Sequence, residues 1–529
     1  MHGTTTPARR DLLRLAGAAA TTLWLPRSAW SQLRLPDNPF TLGVASGSPG
    51  HDSVVLWTRL HLPGGPGSGL PGAAVTVQWE IAHDEGFARI AARGQAQALP
   101  ELAHAVHVEA GGLAPDRWYF YRFLAGAAVS AVGRTRTLPE PAAPAARLRL
   151  GYASCQRWEH GYFAAWRHLA AEQLDAVLFL GDYIYEYPNA QNAVRIPAGG
   201  WVQTLADYRA RYALHKGEAE LQAAHAACPW LVTWDDHEVQ NDYAGLAPGN
   251  AGPAVADFAA RRAAAYQAFY EHMPLRSGVL TQALAGLPRG AEMRIYGSQR
   301  FGRLAALYLL DDRQYRDAQA CTPAGRHGSA TVDVQACAAW TDPQRTLLGA
   351  AQERWVEQAF LHTGDGAAWN VVGQQSLFGQ RRMRAGPGRV HWNDGWDGYG
   401  PARQRFIAAL QRQRVANPVL LGGDVHENWV GHVKEDYDRP DSPSIGTEFC
   451  GTSITSRAAA DSRLGERLAE NPHFVFADAH RRGYGVAEFT PGRLAVALRA
   501  VDDVTRRDAG IETLARFTVQ AGRAVVERA

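Results

Sequence analysis

The chain has 529 residues, of which 46% are hydrophobic, and its formal net charge at pH 7 is +2. This length allows more than one domain and a large buried core, and the nearly balanced charge disfavours a nucleic-acid binder, which usually carries a strongly basic face. The only lysines are Lys216 and Lys434, and no Gly-Lys-Ser/Thr sequence occurs, which excludes a Walker-type phosphate loop.

Residues 1–31 predict an export signal. Arg9 and Arg10 precede a modest apolar run over residues 12–25, and residues 29–31, Ala-Trp-Ser, offer a cleavage site. This pattern is typical of twin-arginine signals, which direct already folded proteins across a membrane. The apolar run is too short to span a bilayer comfortably, and no later segment is long and apolar enough to do so. We therefore expect a periplasmic or secreted protein without a membrane span.

Residues 32–140 predict an N-terminal β-sandwich domain of the fibronectin or immunoglobulin type. Short alternating runs such as VTVQWEIA and RWYFYRF are separated by Gly, Pro and Asp. The stretch from Gly111 to Phe123 resembles the tyrosine corner of fibronectin-type sandwiches. The segment LPEPAAPAA follows as a linker rich in Pro and Ala, which indicates a domain boundary.

Residues 147–529 predict a layered α/β catalytic domain in which helices flank β-sheets. The run RLRLGYASC, a helix over 162–173 and the run DAVLFLGD form a β-α-β unit, whose two strands are parallel. The C-terminal run GYGVAEFTPGRLAVALRAV predicts a hairpin that turns at Pro491-Gly492. The other predicted elements are a helix and five strands: 258–270; 230–234, 304–310, 369–372, 419–421 and the surroundings of Phe449.

Five cysteines leave at least one thiol unpaired in an exported protein. Cys321 and Cys337 flank a polar, Gly-rich loop, and we predict a disulfide between them. The sequence leaves the pairing of Cys228 and Cys450 open. Cys155 stands at the end of a predicted strand.

Polar clusters follow nearly every predicted strand of the second domain, among them SC at 154–155, GDYIY at 181–185, WDDHEVQND at 234–242 and GGDVHENW at 422–429. In open α/β sheets, ligands bind beyond the carboxyl ends of the strands. Three aspartates would then share one cleft, and they cannot stay ionised together without cations. The sequence therefore predicts a metal site around Asp182, Asp236 and Asp424.

The candidate ligands fall into two chemical sets. One set combines thiolate, phenolate and imidazole donors, which suit a tightly held transition ion such as iron: Cys155, Tyr185 and His426. The other set offers oxygen donors, which suit calcium, magnesium or manganese: Asp236, Asn241 and Asp424. Asp182 lies between the sets and can bridge them. Two cations a few ångströms apart bind a phosphate and activate a water.

Three of these ligands have another interpretation. A cysteine at a strand end, such as Cys155, is often a small buried apolar residue. Tyr185 could be an ordinary packing aromatic, and Asn241 could cap a turn. The motif pattern favours the ligand role for Cys155 and Tyr185, and Asn241 stays open between the two roles.

Neighbouring charged residues are assigned other roles. Asp235 competes with Asp236 for one ligand position, and adjacency to His237 favours Asp236. Asp311 and Asp312 are expected to anchor loops by hydrogen bonds. Arg157 could contact the phosphate, but a solvated side chain is expected.

The motifs ASCQ, GDYIYE, WDDHE and GGDVHENW occur in this order after the predicted sandwich, and together they resemble PhoD-type alkaline phosphatases. The resemblance extends from about residue 40 to about residue 501. It implies an N-terminal β-sandwich and a calcineurin-like metallophosphatase domain related to purple acid phosphatases. It also implies a ferric ion with four ligands: Cys155, Asp182, Tyr185 and His426.

The same resemblance implies one or two calcium ions, with manganese as an alternative at the second position, and four ligands: Asp182, Asp236, Asn241 and Asp424. It places His237 where a histidine of the wider superfamily contacts the substrate and protonates the leaving group. Two histidines of purple acid phosphatases are replaced here, one by Gln374 or Gln375 and one by Asp424. Oxygen ligands at these positions agree with calcium and argue against zinc.

The resemblance implies a metal-dependent phosphoric ester hydrolase, an alkaline phosphatase acting on small-molecule phosphomonoesters and on some diesters. We expect a monomer that meets the twin-arginine export machinery and binds no nucleic acid. The first alternative is a phosphodiesterase or phospholipase D-like enzyme on the same fold. The second alternative is a non-catalytic cell-surface binding protein.

Overall fold

The computed structural model describes residues 37–62, 70, 72–250, 252–280, 292–323, 325–361, 366–384, 389–457 and 462–529. The predicted export signal at 1–31 lies outside these residues. Within these ranges, no helix combines the length and the apolar character that crossing a membrane requires.

The described residues form two compact units. Unit 1 contains those up to Leu138 together with Thr204–Trp230 and Ala259–Arg294, and unit 2 contains Pro139–Gln203, Leu231–Phe258 and Ile295–Ala529. The break at Leu138 falls beside the predicted linker. Unit 1 also takes in two later segments that the sequence analysis assigned to the catalytic domain. The predicted domain limits, 32–140 and 147–529, therefore stay a prediction.

The strands are numbered in chain order. They are β1 Val44–Gly47, β2 Val54–Arg59, β3 Val75–Ala82, β4 Ile90–Ala98, β5 Ala105–Ala110, β6 Trp118–Ala125, β7 Ala128–Val129, β8 Gly133–Arg136, β9 Leu148–Ala153, β10 Ala176–Leu180, β11 Trp230–Thr233, β12 Gly297–Phe301, β13 Ala305–Leu309, β14 Thr331–Asp333, β15 Trp369–Gly373, β16 Val390–Trp392, β17 Pro418–Gly422, β18 Asn428–Lys434, β19 Ser444–Cys450, β20 Phe474–Asp478, β21 Arg482–Phe489, β22 Arg493–Val501, β23 Ile511–Gln520 and β24 Glu527–Arg528.

The helices are numbered in the same way. The α-helices are α1 Ala164–Ala170, α2 Leu205–Lys216, α3 Ala219–Ala227, α4 Phe258–His272, α5 Gly349–Leu361, α6 Gly400–Arg412 and α7 Leu464–Glu470. Short 3₁₀ helices cover Pro100–Leu102, Trp158–His160, Val334–Ala336, Ala338–Thr341 and Trp396–Tyr399.

Unit 1 contains two antiparallel sheets. One has the order β1-β2-β5, and the other has the order β4-β3-β6-β7 with β8 paired to β6. Every second residue of β6 is buried, and Tyr121 and Phe123 join Leu56 of β2 in one apolar core. The Tyr119 hydroxyl accepts a hydrogen bond of 2.9 Å from the Ala114 backbone N–H, which ties the start of β6 to the preceding loop.

Unit 2 contains two larger sheets, in the orders β24-β23-β22-β21-β9-β10-β11 and β12-β13-β15-β17-β19-β18-β20. Strands β9 and β10 are parallel, and so are β13, β15, β17 and β19. All five residues of β10 are buried, which explains its uninterrupted apolar sequence. Phe360 of α5 and Phe406 of α6 pack with Tyr308, Val372 and Leu420 of the second sheet. Within unit 2, the parallel strands of each sheet therefore end at the same edge of that sheet.

Several predicted elements are confirmed. The β-α-β unit consists of β9, α1 and β10, although α1 is shorter than predicted because residues 171–173 form its C-cap and the turn after it. Strands β21 and β22 form the predicted hairpin at Pro491-Gly492, and Cys321 and Cys337 form the predicted disulfide. Strand β4 was missed because most of its residues are exposed or half-buried, so the sequence lacks a regular apolar alternation.

Candidate metal centre

The predicted site residues lie just beyond the carboxyl ends of four strands in unit 2. Cys155 follows β9, Asp182 follows β10, Asp236 follows β11 and Asp424 follows β17. The backbone is left-handed at Cys155 (φ 61°), Asp182 (φ 59°), Asp424 (φ 65°) and His426 (φ 58°). For a residue other than glycine, this conformation costs roughly 1–3 kcal/mol and is found most often at functional sites.

Gly181 shows why the turn after β10 needs a glycine. Its φ is 104°, and a Cβ atom at this position would collide with the backbone and Cβ of Asp235. The missing side chain lets the β10 and β11 ends approach each other. Asp182 and Asp236 consequently reach the same cleft.

We call the first group of side chains the thiol–tyrosine cluster; it comprises Cys155, Asp182, Tyr185 and His426. The donor atoms of Cys155, Asp182 and His426 lie within 4.8 Å of one another. The Tyr185 hydroxyl donates to Asp182 Oδ2 at 2.9 Å and lies 3.2 Å from His426 Nε2. Ser456 Oγ donates to the Tyr185 hydroxyl oxygen at 2.7 Å, so the phenol is held in place from both sides.

Burial disfavours the charged forms of this cluster. It raises the pKa of Cys155, Asp182 and Tyr185 well above their usual values, and it lowers the pKa of His426, which Arg482 lowers further. A bound metal cation would favour the thiolate, carboxylate and phenolate again. The donor set therefore fits a metal ion.

Arg157 is not solvated, and the prediction that it is was wrong. The side chain is buried, and its guanidinium carbon lies 3.8 Å from the ring centre of Tyr185 and 4.6 Å from that of Tyr187. It also pairs with Glu159 at 3.0 Å. Cation–π attraction and the ion pair offset the loss of hydration. The tertiary fold brings the two tyrosines to Arg157, whereas Glu159 is a neighbour in the chain.

A second group of close donor atoms shares one member with the first. The donor atoms of Asp182, Asp236 and His237 lie within 4.8 Å of one another. His237 Nδ1 lies 2.6 Å from Glu186 Oε2, and the Asn241 backbone N–H donates to Glu186 Oε1 at 2.7 Å. Burial lowers the pKa of His237, but the surrounding carboxylates, Glu186 first, outweigh it and raise the pKa well above its usual value. These carboxylates therefore favour the protonated imidazole.

We call the third group the arginine-centred cluster; it comprises Asp235, Asp236, Arg313, Asp394 and Asp424. The buried Arg313 pairs through Nε with Asp235 and lies 2.6 Å from Asp394 Oδ2 through Nη1. Its Nη1 lies 3.6 Å from Asp236 Oδ2, and its Nη2 lies 3.5 Å from Asp424 Oδ1. The sequence analysis missed Arg313 and Asp394. The position of Arg313, four residues beyond the end of β13, is the signal that could have pointed to it.

Two buried carboxylate oxygens of this cluster accept no hydrogen bond from the described residues. Asp236 Oδ1 and Asp235 Oδ2 have no hydrogen-bond partner in the described parts of the chain. Donor atoms of Asp236, Asp242 and Asp394 also lie within 4.8 Å of one another. Orphaned buried oxygens are unfavourable unless a cation or a water binds them. The oxygen donors therefore fit a hard cation such as calcium.

Two further predictions on charged residues have different outcomes. Asp311 anchors its loop as predicted, because its side chain accepts hydrogen bonds from Trp234 Nε1 at 3.1 Å and from the Arg313 backbone N–H at 3.1 Å. The Asp312 prediction was wrong for the side chain, since neither of its buried oxygens has a partner among the described residues. Burial raises the pKa of Asp312 to about 8.

Comparison with known proteins gives the class of this site. Residues 150–498 match the family described as PhoD-like phosphatase, and residues 27–139 match the PhoD-like phosphatase N-terminal domain. A solved structure described as "Structure of PhoD" matches with a TM-score of 0.86 and 42% identity, over 94% of this chain and 93% of that one. The fold and the carboxylate-rich strand ends thus belong to a phosphoric ester hydrolase.

The match is also close at the level of sequence. Alkaline phosphatase D of Bacillus subtilis (strain 168) is 45% identical over 491 residues, which cover 91% of this chain and 81% of the relative. The chain belongs to the PhoD-like phosphatase family. The resemblance found in the four motifs is thereby confirmed, and so are the phosphatase function and the general PhoD fold.

Proposed function

We propose that this chain is an exported alkaline phosphatase that hydrolyses small-molecule phosphomonoesters at a centre of one ferric ion and one or two calcium ions. One observation carries the proposal: Asp182 belongs to both the Cys155–Asp182–His426 group and the Asp182–Asp236–His237 group. A carboxylate shared by two groups of donors is suited to bridge two cations.

The proposed iron ligands are the members of the thiol–tyrosine cluster, Cys155, Asp182, Tyr185 and His426. The proposed calcium ligands are Asp182, Asp236, Asn241 and Asp424, with manganese as the alternative ion. Close donor atoms, orphaned oxygens and left-handed backbone at the ligands support this assignment. For Asn241, the support is limited to the position of its backbone beside Glu186.

When bound, two such cations would polarise the phosphate and supply an activated water. The chain itself supplies the proton for the leaving alcohol through His237. Glu186 holds Nδ1 of that imidazole at 2.6 Å, so Nε2 is the ring nitrogen available to the substrate. The carboxylates around His237 raise its pKa well above the usual value, which supports the protonated form that a leaving-group donor requires.

The finer predictions on architecture and location are part of this proposal. An immunoglobulin-like sandwich in unit 1 is supported by its two sheets, their shared core and the Tyr119–Ala114 bond. A layered α/β catalytic domain is supported by the parallel strands and packed helices of unit 2. Export by the twin-arginine route, a periplasmic or secreted location and a monomeric state rest on the sequence.

The test is the metal content and the substrate preference of the purified chain. We expect iron and calcium in the protein, faster turnover of p-nitrophenyl phosphate than of bis(p-nitrophenyl) phosphate, and loss of activity on chelation that added calcium reverses. Turnover of the diester alone would replace the monoesterase proposal with the phosphodiesterase alternative.

The iron ligands are tested by a pair of cysteine variants. Cys155→Ser should lose its iron, because a hydroxyl is a much poorer ligand than a thiolate. Cys228→Ser, a change at a buried cysteine of unit 1, should keep it. Full iron content and full activity in Cys155→Ser would rule out the assignment of Cys155.

A further inference from the structure

A basic cavity of unit 2 is lined by residues outside the clusters of the metal centre. Its volume is about 260 Å³, far more than the roughly 15 Å³ that a single water requires. We call it the arginine pocket; nine residues line it, three of them arginines: Arg457, Ala479, His480, Arg481, Arg482, Val501, Asp502, Asp503 and Val504.

Arg482 is a buried residue in the lining of the arginine pocket. Only 6% of the residue is exposed, and its Nη1 donates to the backbone oxygens of Arg481 at 2.9 Å and Ala479 at 3.2 Å. Its Nε is buried without a hydrogen-bond partner, and within the described ranges no carboxylate lies at ion-pair distance from Arg482. The charges of Asp478 and Glu427 act on Arg482 only from beyond ion-pair distance, and the pKa of Arg482 is lowered because burial outweighs them. A counter-ion in the pocket would offset that cost of burial.

The two aspartates of the lining do not supply that counter-ion. Asp502 Oδ2 lies 3.8 Å from Arg506 Nη1. Asp503 Oδ1 accepts hydrogen bonds from Thr505, at 2.8 Å from the backbone N–H and 2.7 Å from the hydroxyl. Both carboxylates are therefore engaged by their own loop.

The arginine pocket adjoins the thiol–tyrosine cluster through two short connections. Arg482 Nη1 donates to Thr452 Oγ1 at 3.4 Å, and Thr452 Oγ1 donates to the backbone oxygen of His426 at 3.1 Å. Arg457 directly follows Ser456, whose hydroxyl is bonded to Tyr185. These contacts place Arg457 and Arg482 close to the thiol–tyrosine cluster, within the same unit.

We propose that the arginine pocket binds a second anionic group, a phosphate or a carboxylate, on the alcohol portion of the substrate. Guanidinium groups suit this role because they form paired, charge-assisted hydrogen bonds with both anions. The enzyme then favours phosphate esters whose organic part carries its own negative charge. This inference rests on the proposed function and names the substrate class for it.

Two esters with the same carbon chain test the proposal. Glycerol 3-phosphate and 3-phosphoglycerate differ by a carboxylate in place of a CH₂OH group, and the release of phosphate from each is measured with the metal-loaded enzyme. One charge-assisted bond predicts a kcat/KM about tenfold higher for 3-phosphoglycerate. Equal values for the two esters would overturn the proposal. Hydrolysis of p-nitrophenyl phosphate in the same preparation tests the proposed function separately.

Variants of the pocket arginines test whether the preference for 3-phosphoglycerate depends on the arginine pocket. Arg457→Gln, at a half-buried position, should reduce the ratio of the two kcat/KM values to about one-third or less, and Arg482→Lys should reduce it severalfold because lysine lacks the paired donors. The control Arg523→Gln, at an exposed ion pair, should leave the ratio unchanged. An unchanged ratio in Arg457→Gln would contradict the proposal.

Free inorganic phosphate is the other anion that could occupy the arginine pocket. Its binding to the wild-type protein and to Arg457→Gln is measured by calorimetry, which distinguishes it from an anionic group of the substrate. If inorganic phosphate binds the wild-type protein, binds Arg457→Gln more weakly, and the two esters are hydrolysed equally, the pocket holds a free anion. That outcome would overturn the assignment to the substrate. A preference that weakens with rising salt concentration would support it, because salt screens partly exposed charge pairs.

Discussion

The thiol–tyrosine cluster and the arginine-centred cluster differ in how they accommodate buried charge. In the first, burial raises the pKa of Cys155 and Asp182 well above their usual values. In the second, burial also acts on Asp236 and Asp394, but Arg313 outweighs it, and the pKa of both carboxyls is lowered. The first cluster would therefore carry its negative charge only with a bound cation, whereas in the second Arg313 favours the ionised forms of Asp236 and Asp394, although burial raises the pKa of Asp235 to about 6 and that of Asp424 well above its usual value.

This difference has a consequence for metal binding. A cation entering the thiol–tyrosine cluster must displace protons from the thiol, the phenol and the carboxyl, so its affinity should rise steeply with pH. A cation entering the arginine-centred cluster meets two carboxyls with a lowered pKa, Asp236 and Asp394, but it also meets the positive charge of Arg313. We therefore expect tight binding at the first cluster and weaker, exchangeable binding at the second.

The largest expected effect comes from the residue that the two groups of donors share. Asp182→Asn removes the proposed bridging charge and should lower kcat for p-nitrophenyl phosphate by about 10⁴-fold, equivalent to about 5.5 kcal/mol. Metal analysis should show the loss of both ions. The control Asp342→Asn changes an exposed aspartate and should leave both measurements unchanged. Normal metal content in Asp182→Asn would contradict the shared role.

The second-largest effect is expected from Arg313, the positively charged residue of the arginine-centred cluster. Arg313→Met removes the ion-pair partner of Asp235 and one of the two arginine partners of Asp394. It should destabilise the protein, after its metals are removed with a chelator, by about 3–5 kcal/mol, measured by urea unfolding. Added calcium should recover more of this stability in the variant than in the wild type, since a divalent ion can replace the lost charge.

Arg403→Met is the matched control for Arg313→Met. It breaks another buried ion pair, at 2.7 Å from Asp397, and the pKa of Asp397 is lowered by Arg403 against the effect of burial. Its loss of stability should not depend on calcium. An equal calcium response in the two variants would show that Arg313 has no special relation to the metal centre.

A smaller effect is expected at the carboxylate that holds His237. Glu186→Gln should lower kcat by about 100-fold, because it removes the partner of a proposed proton donor. Since Glu186 raises the pKa of His237, its removal should also move the alkaline limb of the pH–rate profile to lower pH. Glu186→Asp should restore part of the activity. If Glu186→Gln lowers kcat but leaves the alkaline limb of the pH–rate profile at the same pH, Glu186 has only a structural role.

The smallest effect tests how far the thiol–tyrosine cluster depends on its neighbours. Ser456→Ala removes the 2.7 Å hydrogen bond to the Tyr185 hydroxyl. A net loss of about 0.5–1.5 kcal/mol predicts up to about a tenfold decrease in iron affinity, measured by competition with a chelator. The control Ser442→Ala, at a buried serine outside the two clusters, should leave the iron affinity unchanged. A loss as large as that of Cys155→Ser would mean that Ser456 contacts the metal.

Much of the candidate site was accessible from the sequence because the motifs follow strand ends. The buried run of β10 ends at Gly181, and the next residue is Asp182; the same logic applies to β9 with Cys155 and to β17 with Asp424. A local pattern sufficed here, since parallel strands place their carboxyl ends together. Whether each residue is a metal ligand stays a prediction.

The environment of those residues was less accessible. Arg157 was expected in solvent and is buried against two tyrosines, and Glu186 was not identified although it contacts His237 at 2.6 Å. Both belong to loops between strands, where no periodic pattern shows the direction of a side chain. Strand β4 was missed for a related reason, as its exposed residues carry no apolar alternation.

The sequence by itself determined the strands that precede the four motifs, the disulfide, the family and the chemical types of the candidate ligands. These features depend on residues close together in the chain, and the physics that links them is local. Only the tertiary structure decided which charges face one another. Arg313 and Asp394 are 81 residues apart and lie 2.6 Å from each other, and this contact lowers the pKa of Asp394 against the effect of burial. Long-range electrostatics of this kind depends on distances that folding alone sets.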